Sequence, residues 1–348
     1  MTKQGDAHDG DRTTDPIAIV DILNSGGMSQ AVYVAAGLGI ADVLAAGPKT
    51  SEQVASAVEA HADSIHRLLR AMASLGLCDE IEDGTFALTP LGTHLRSGVP
   101  GSVRSYALHW GGSMWPVWGG LLHSVKTGRN PRELVTRKDA FESLAGKPAA
   151  VHTFNDAMVE ISSLVAPGVV RCCDFSGVAR LADIGGGHGL LLSTILNAWP
   201  SLRGILVDQA SVLEGARICL ERASVADRCE LVPGSFFESI PSGADAYLMK
   251  SVLHDWDDKR AGVILENCRQ AMNGHGRLII VERLLPERME PLAEHRFVVA
   301  SDLAMMVTVS GRERTESAFR ALLHSAGFEL TRVAGTSAHY SVIEARCG

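Results

Sequence analysis

A chain of 348 residues, 46% hydrophobic and 21% charged, exceeds one core of ordinary size and is expected to fold as a soluble, two-domain protein. Its formal net charge of −8 argues against a partner held chiefly through phosphates, so no nucleic acid and no membrane surface is expected. Seven cysteines, two adjacent at Cys172-Cys173 and none in a Cys-x-x-Cys spacing, read as reduced thiols of a cytoplasmic protein, neither a metal site nor a disulfide framework.

Residues 1–15 are polar and acidic, lack an apolar signal core and read as a flexible N-terminus. Ile17, Val20, Ile22 and Leu23 open a mainly helical region over 16–102. Its most apolar part, 31–46, is broken by Gly37, Gly39 and Asp42 and is too short to cross a bilayer, so a buried or subunit-facing helix is expected. Thr50 or Ser51 can cap a short helix, with Glu52 or Gln53 in its first turn. A further helix from His61 presents Ile65, Leu68, Leu69, Met72 and Leu75 on one face and ends at Gly76. Segments 77–81 and 86–88 then read as a hairpin about Asp83-Gly84. Three helices and a hairpin make a winged-helix-like module. Such modules often bind DNA, but the helix that would enter the groove offers only Arg67 and Arg70, beside Asp63, where a DNA reader clusters more cations. Packing or dimerisation is the expected role.

Residues 103–175 read as a helical, aromatic-rich linker containing His109-Trp110, Met114-Trp115, Trp118 and Phe154-Asn155-Asp156-Ala157-Met158. Such side chains can line a cleft for a flat apolar ligand or can simply pack two domains together. Trp110, Phe154, Asn155 and Met158 are the candidate substrate contacts, with Met305 and Asp255 further along.

At 181–189 an apolar run rich in strand formers meets Gly185-Gly186-Gly187, and an amphipathic segment follows. Strand, tight turn and helix start together aim backbone N–H groups at a ligand. The spacing is Asp183-x-Gly185-x-Gly187-x-Gly189, and Leu190 occupies the third glycine position of the pyrophosphate-binding pattern, so a dinucleotide is a poorer guest. A second strand ends in Asp208, placed to accept hydrogen bonds from two ribose hydroxyls. Acids at both strand ends suit a nucleoside bearing a cationic amino-acid part, such as S-adenosylmethionine. An NAD site or a purely structural turn are the alternatives.

From 176 onwards strands and helices alternate, with strands expected at 181–184, 204–207, 229–233, 246–249, 277–281, 328–333 and 340–345. The last two are too close for a parallel crossover, so a seven-stranded sheet with its final, antiparallel strand at the edge is expected. His254 follows a strand end, where ligands bind in open α/β sheets, and a histidine suits proton removal near neutral pH. Asp257 or Asp258 reads as a helix cap more simply than as a metal ligand, and no metal is expected. Glu282 and Glu313 fall on the same sheet edge, where a carboxylate beside an imidazole fixes its tautomer, although each acid serves equally well in a surface salt bridge.

The glycine turn, His254-Asp255-Trp256, Val281-Glu282 with Leu285-Pro286-Glu287, and Gly311-Arg312-Glu313-Arg314-Thr315 with Ala326-Gly327-Phe328 together resemble the S-adenosylmethionine-dependent O-methyltransferases of the plant caffeate and bacterial anthracycline type. The resemblance covers nearly the whole chain. It implies a class I methyltransferase, Rossmann-like α/β fold, an N-terminal dimerisation domain, a homodimer, and a small aromatic or polyketide substrate. It also implies His254 as general base between Glu282 and Glu313, Gly185 and Asp208 at the cofactor, and Lys250 near its ribose or sulfonium. One position departs from the family pattern: Ser235, in Gly234-Ser235-Phe236-Phe237, stands where an aspartate usually receives the adenine amino group, while Phe236 remains to pack on the adenine face. The expected reaction is direct methyl displacement onto a substrate hydroxyl, yielding S-adenosylhomocysteine. A cofactor-binding winged-helix regulator without turnover is the alternative.

Overall fold

The computed structural model describes residues 15–82, 84–131, 148–272, 274, 276–336 and 338–348. The chain divides into two compact units, Met1–Met114 and Trp115–Gly348.

In the first unit, helices Ile17–Leu38, Ile40–Leu44, Ser51–Ala57 and Ala62–Ser74 precede a small sheet of β1 (Lys49–Thr50), β2 (Cys78–Glu82) and β3 (Thr85–Leu88), ordered β1-β3-β2. Thr50 is the cap: its Oγ1 accepts from Gln53 N and its own N–H donates to Gln53 Oε1. Ile65, Leu69 and Met72 bury one stripe of the fourth helix beside Ile40, Leu44, Val54 and Phe86. Asp83 of the expected turn lies outside the described residues, and Gly84 takes φ +73°. The unit closes with helix Arg104–Leu108 and a π-helical turn, His109–Ser113, in which Gly111 leaves no room for a Cβ against Tyr33.

The second unit is built on a seven-stranded sheet. Its strands are β4 (Arg180–Ile184), β5 (Arg203–Asp208), β6 (Cys229–Pro233), β7 (Ala246–Lys250), β8 (Arg277–Glu282), β11 (Phe328–Gly335) and β12 (Ser341–Cys347); β9 (Leu284–Leu285) and β10 (Arg314–Thr315) form a separate parallel ladder. The sheet order is β11-β12-β8-β7-β4-β5-β6. The final strand is antiparallel as expected, but its expected place at the edge is corrected: β12 inserts between β8 and β11, and β11 takes the edge. Sequence proximity dictates that β11 and β12 form a hairpin and leaves open which of them reaches β8. β12 buries Val342 on one face and Ile343 and Ala345 on the other, as an interior strand does.

Strand alternation feeds two cores. Ala182, Ile184, Leu278 and Ile280 face one layer with helices Asp258–Met272 and Glu316–Ser325, whereas Leu181, Leu206, Ile279 and Val281 face helices Pro148–Cys172, Leu190–Ala198 and Ala210–Arg222. The order reverses at β4, whose neighbours are β5 and β7, and this places a crevice at their carboxyl ends. No helix among the described residues is long and apolar enough to cross a membrane.

Candidate active site

Each strand end along that edge carries a residue singled out by the sequence. After β4 the chain turns through Gly185, Gly187 and Gly189 at φ +69°, +58° and +75°. A Cβ on Gly185 would stand 2.9 Å from Val252 Cγ2 and 3.5 Å from Phe236 Cε1, so the loops after β4, β6 and β7 meet here. A Cβ on Gly187 would meet nothing within 4 Å, and the tip of the turn faces open space. Asp208 Oδ2 accepts from Gly187 N at 2.8 Å and Oδ1 from Gln209 N at 2.7 Å, which ties the end of β5 to the turn. Each oxygen keeps a further lone pair. Burial raises the Asp208 carboxyl above its ordinary range.

Asp183 lies underneath, 2% exposed, so close that a Cβ on Gly186 would fall 2.8 Å from its Oδ2. Burial pushes its carboxyl up to about 7, against the pull of Lys250. Ser235 Oγ accepts from Phe237 N at 3.3 Å, and Phe236, Phe237 and Trp256 pack edge-on as one aromatic group, with the Arg260 guanidinium 3.9 Å above the Trp256 ring. His188 packs against Gly215 and away from the turn's open side.

Lys250 ends β7, and Ser251 follows in the left-handed region at φ +54°, a conformation that a non-glycine residue adopts at a cost. Its Oγ lies 3.0 Å from Tyr340 Oη and 3.4 Å from Lys250 Nζ. The chain then forms a single turn, Leu253–Asp255, whose orphan amides are gathered by one acid: Glu282 Oε1 accepts from Val252, Leu253 and His254 N at 3.0, 3.0 and 3.4 Å. Arg314 clamps the same turn through Leu253 O at 2.9 Å and Trp256 O at 2.8 Å, while its Nε reaches Asp258 Oδ1 at 2.9 Å. Gly311 lies on the His254 carbonyl without room for a Cβ, and Arg312 N donates to that carbonyl at 2.8 Å. Asp257 caps the next helix by accepting from Arg260 N at 2.8 Å.

His254 is thereby fixed, 7% exposed. Its Nδ1 is 3.0 Å from Glu313 Oε1 and 3.6 Å from Glu282 Oε2; Nε2 is 3.6 Å from Asp255 Oδ1. A carboxylate only accepts, so Nδ1 carries the hydrogen, and Nε2 holds the lone pair when the ring is neutral. Burial pulls the imidazole down, but Glu282, Glu313 and Asp255 outweigh it and hold the proton up to about 10. Burial pushes Asp255 up to about 6 and raises Glu282 as well. Burial also opposes ionisation of Glu313, yet His254 and Ser301 keep it below its ordinary value. His254, Glu282 and Glu313 present possible metal-ligand atoms within 4.8 Å of one another, but Nδ1 is already engaged by Glu313 and Glu282 Oε1 by backbone amides.

The remaining candidates are spread over other elements. Phe154, Asn155 and Met158 sit half-buried on helix Pro148–Cys172, and Met305 lies half-buried on helix Ala293–Thr308, one turn beyond Ser301. Trp110 belongs to the first unit, stacked on Tyr106 with ring centroids 5.7 Å apart. The sequence reading missed Ser251, Arg283, Ser301, Arg314 and Tyr340. Only Arg314 carried a signal, as a cation inside the motif with Glu313.

Residues 118–329 match the O-methyltransferase domain, and residues 20–97 the O-methyltransferase dimerisation domain. The chain belongs to the S-adenosylmethionine-dependent O-methyltransferase family. It is 43% identical over 319 residues to the phenazine O-methyltransferase PhzM of Lysobacter antibioticus, covering 92% of each chain. It is 40% identical to the mitomycin biosynthesis 6-O-methyltransferase of Streptomyces lavendulae, covering 90% of this chain and 88% of that one. Among solved structures, an O-methyltransferase from neocarzinostatin biosynthesis, in complex with S-adenosylmethionine and 2-hydroxy-5-methyl naphthoic acid, superposes with a TM-score of 0.77 at 29% identity, covering 99% of this chain and 100% of that chain. A phenazine-1-carboxylate N-methyltransferase of Pseudomonas aeruginosa is 32% identical, covering 90% of this chain and 92% of that one. Solved structures of such methyltransferases hold S-adenosylmethionine or S-adenosylhomocysteine.

Proposed function

We propose that this methyltransferase transfers a methyl group to a hydroxyl of a small aromatic natural-product intermediate, a phenolic acid or a polyketide, with His254 as the general base. The observation that carries the reading is the buried imidazole whose Nδ1 is held by Glu313, so that Nε2 is the nitrogen left to take a proton.

The glycine turn fits the cofactor, because its open tip at Gly187 and the absence of a Cβ on Gly185 leave a cradle bounded by Phe236, Val252 and Asp208. Bound there, S-adenosylmethionine supplies a methyl group on a sulfonium. Asp208 would receive the ribose hydroxyls, Phe236 would pack on adenine and Ser235 would accept from its amino group without a charge. Asp183 and Lys250 set the field from below and beside the turn. Phe154, Asn155, Met158, Asp255 and Met305 hold the flat acceptor. His254 takes the hydroxyl proton at Nε2, while Glu313 and Glu282 stabilise the imidazolium so formed. With the cofactor bound, an oxygen deprotonated by His254 would bond to the methyl carbon as the S–C bond breaks, leaving a neutral thioether, a loss of charge that an apolar, water-excluding cleft would favour.

The test is incubation with S-adenosylmethionine and a panel of phenolic acids, flavonoids and polycyclic polyketides, with methylated products followed by mass spectrometry. Replacing His254 with Ala should lower turnover at least a hundredfold and leave cofactor binding nearly unchanged. Unchanged turnover in the variant would exclude His254 as the base. Methyl transfer only to ring nitrogens would favour the second reading, an N-methyltransferase, which the phenazine-1-carboxylate enzyme supports.

A further inference from the structure

We infer that Ser301, steered by Arg283, sets the proton affinity of His254 through Glu313. Both are positioning residues, and the inference rests on the reading of His254 as the base. Ser301 Oγ donates to Glu313 Oε1 at 2.6 Å, the same oxygen that receives His254 Nδ1 at 3.0 Å. A serine hydroxyl has one hydrogen and several ways to point it, including back to its own helix. Here Arg283 Nη1 donates to Ser301 Oγ at 3.3 Å, which fills a lone pair and leaves the hydrogen for Glu313. Arg283 Nη1 is itself 4.0 Å from Glu313 Oε1, so a hydroxyl and a cation both draw charge from that oxygen.

Arg283 is itself held in place. It is 8% exposed, and its guanidinium stands 4.2 Å from the centroid of the Tyr340 ring, whose hydroxyl meets Ser251 just before the His254 turn. Glu313 is further fixed by its own N–H, which donates to Asp302 Oδ1 at 2.8 Å on the helix that carries Ser301.

The consequence has a sign. A carboxylate oxygen already serving donors from Ser301 and Arg283 is a weaker acceptor for the proton on Nδ1, so the pair restrains how firmly Glu313 holds His254 in its charged form. Without the hydroxyl, Glu313 grips the imidazolium harder, and the neutral ring that catalysis needs appears only at higher pH.

The experiment is an NMR titration of the histidine rings in labelled full-length protein, with the His254 signal identified by its loss in His254→Ala, beside kcat measured across the same pH range. Ser301→Ala should move the His254 midpoint up by about half a pH unit or more, and the acid limb of kcat should follow. Ser301→Thr, which keeps the hydroxyl, should leave both near the wild type. Arg283→Gln, which frees the hydroxyl to turn away, should move the midpoint in the same direction. An unmoved midpoint in Ser301→Ala would overturn the inference. A moved midpoint with an unmoved kcat profile would uphold the role of Ser301 and remove His254 as the base.

Discussion

At the scale of single residues the site poses a problem of protons. His254 sits among Glu313, Glu282 and Asp255, which hold its proton up to about 10 after burial has pulled the other way, so in the free protein the ring is already protonated at neutral pH. A positive sulfonium arriving in the same anionic surroundings opposes the imidazolium and must lower its proton affinity. At an effective dielectric of about 20, a unit charge at a separation of about 7 Å is worth roughly 2 kcal/mol, about thirtyfold in an equilibrium constant. S-adenosylmethionine binding near pH 8.5 should therefore release a fraction of a proton, whereas S-adenosylhomocysteine, whose sulfur is uncharged, should release much less. Calorimetric titrations in two buffers of different ionisation enthalpy measure this. Equal proton release by the two ligands would mean that the sulfonium does not act on His254. Under the proposed mechanism the same coupling would suit turnover, because a bound methyl donor would help to unload the base.

At the scale of elements, His254 is placed by two segments remote in sequence. Glu282 gathers the amides of its turn from the end of β8, Arg314 binds the turn's carbonyls from β10, and Gly311 lies flat on the His254 carbonyl. Gly311→Ala would drive a Cβ into that carbonyl and displace the turn as a unit. Turnover should fall about a hundredfold while S-adenosylhomocysteine affinity stays within a few-fold, since misplacement of about 1 Å can cost that much. A variant with normal kcat would show that the turn tolerates displacement. This level was only partly legible in the sequence. The seven main strands are readable because short apolar runs, as at 204–207, 246–249 and 278–281, or apolar residues interrupted by polar ones, as at 328–333, end at turns, and His254, Glu282 and Glu313 could be assigned to one sheet edge. The two-residue ladder of β9 and β10, which brings Glu282 and Glu313 onto one imidazole, is too short to leave a pattern. Ser301 and Tyr340 look like ordinary helix and strand-end residues until the fold brings them to the site. The interior place of β12 depends on strand order, which hydrophobic pattern does not encode.

At the scale of the whole molecule, the first helix is the part of the dimerisation domain that leaves most apolar surface to be covered. Helix Ile17–Leu38 buries only Ala35 and Ala36 within its own chain, while Ile22 and Leu23 are 70% and 73% exposed and Ile19 is 63% exposed. A helix that is apolar on more than its inward face needs a partner to cover the rest, and a second copy carrying the same surface is self-complementary by symmetry. The outward isoleucine and leucine side chains should then supply much of the association energy. Fully buried, each is worth about 1.5–3 kcal/mol and a two-fold interface carries each twice, so Ile22→Asp/Leu23→Asp should weaken dimerisation by roughly four orders of magnitude or more. Light scattering after size exclusion should read twice the 37.0 kDa chain mass for the wild type and a single chain mass for the double variant at micromolar concentration. The variant's core residues are untouched, so its circular dichroism should match the wild type, and a loss of folded signal would show that the helix is needed within the chain as well as between chains. A double variant that stays dimeric would move the interface off this helix.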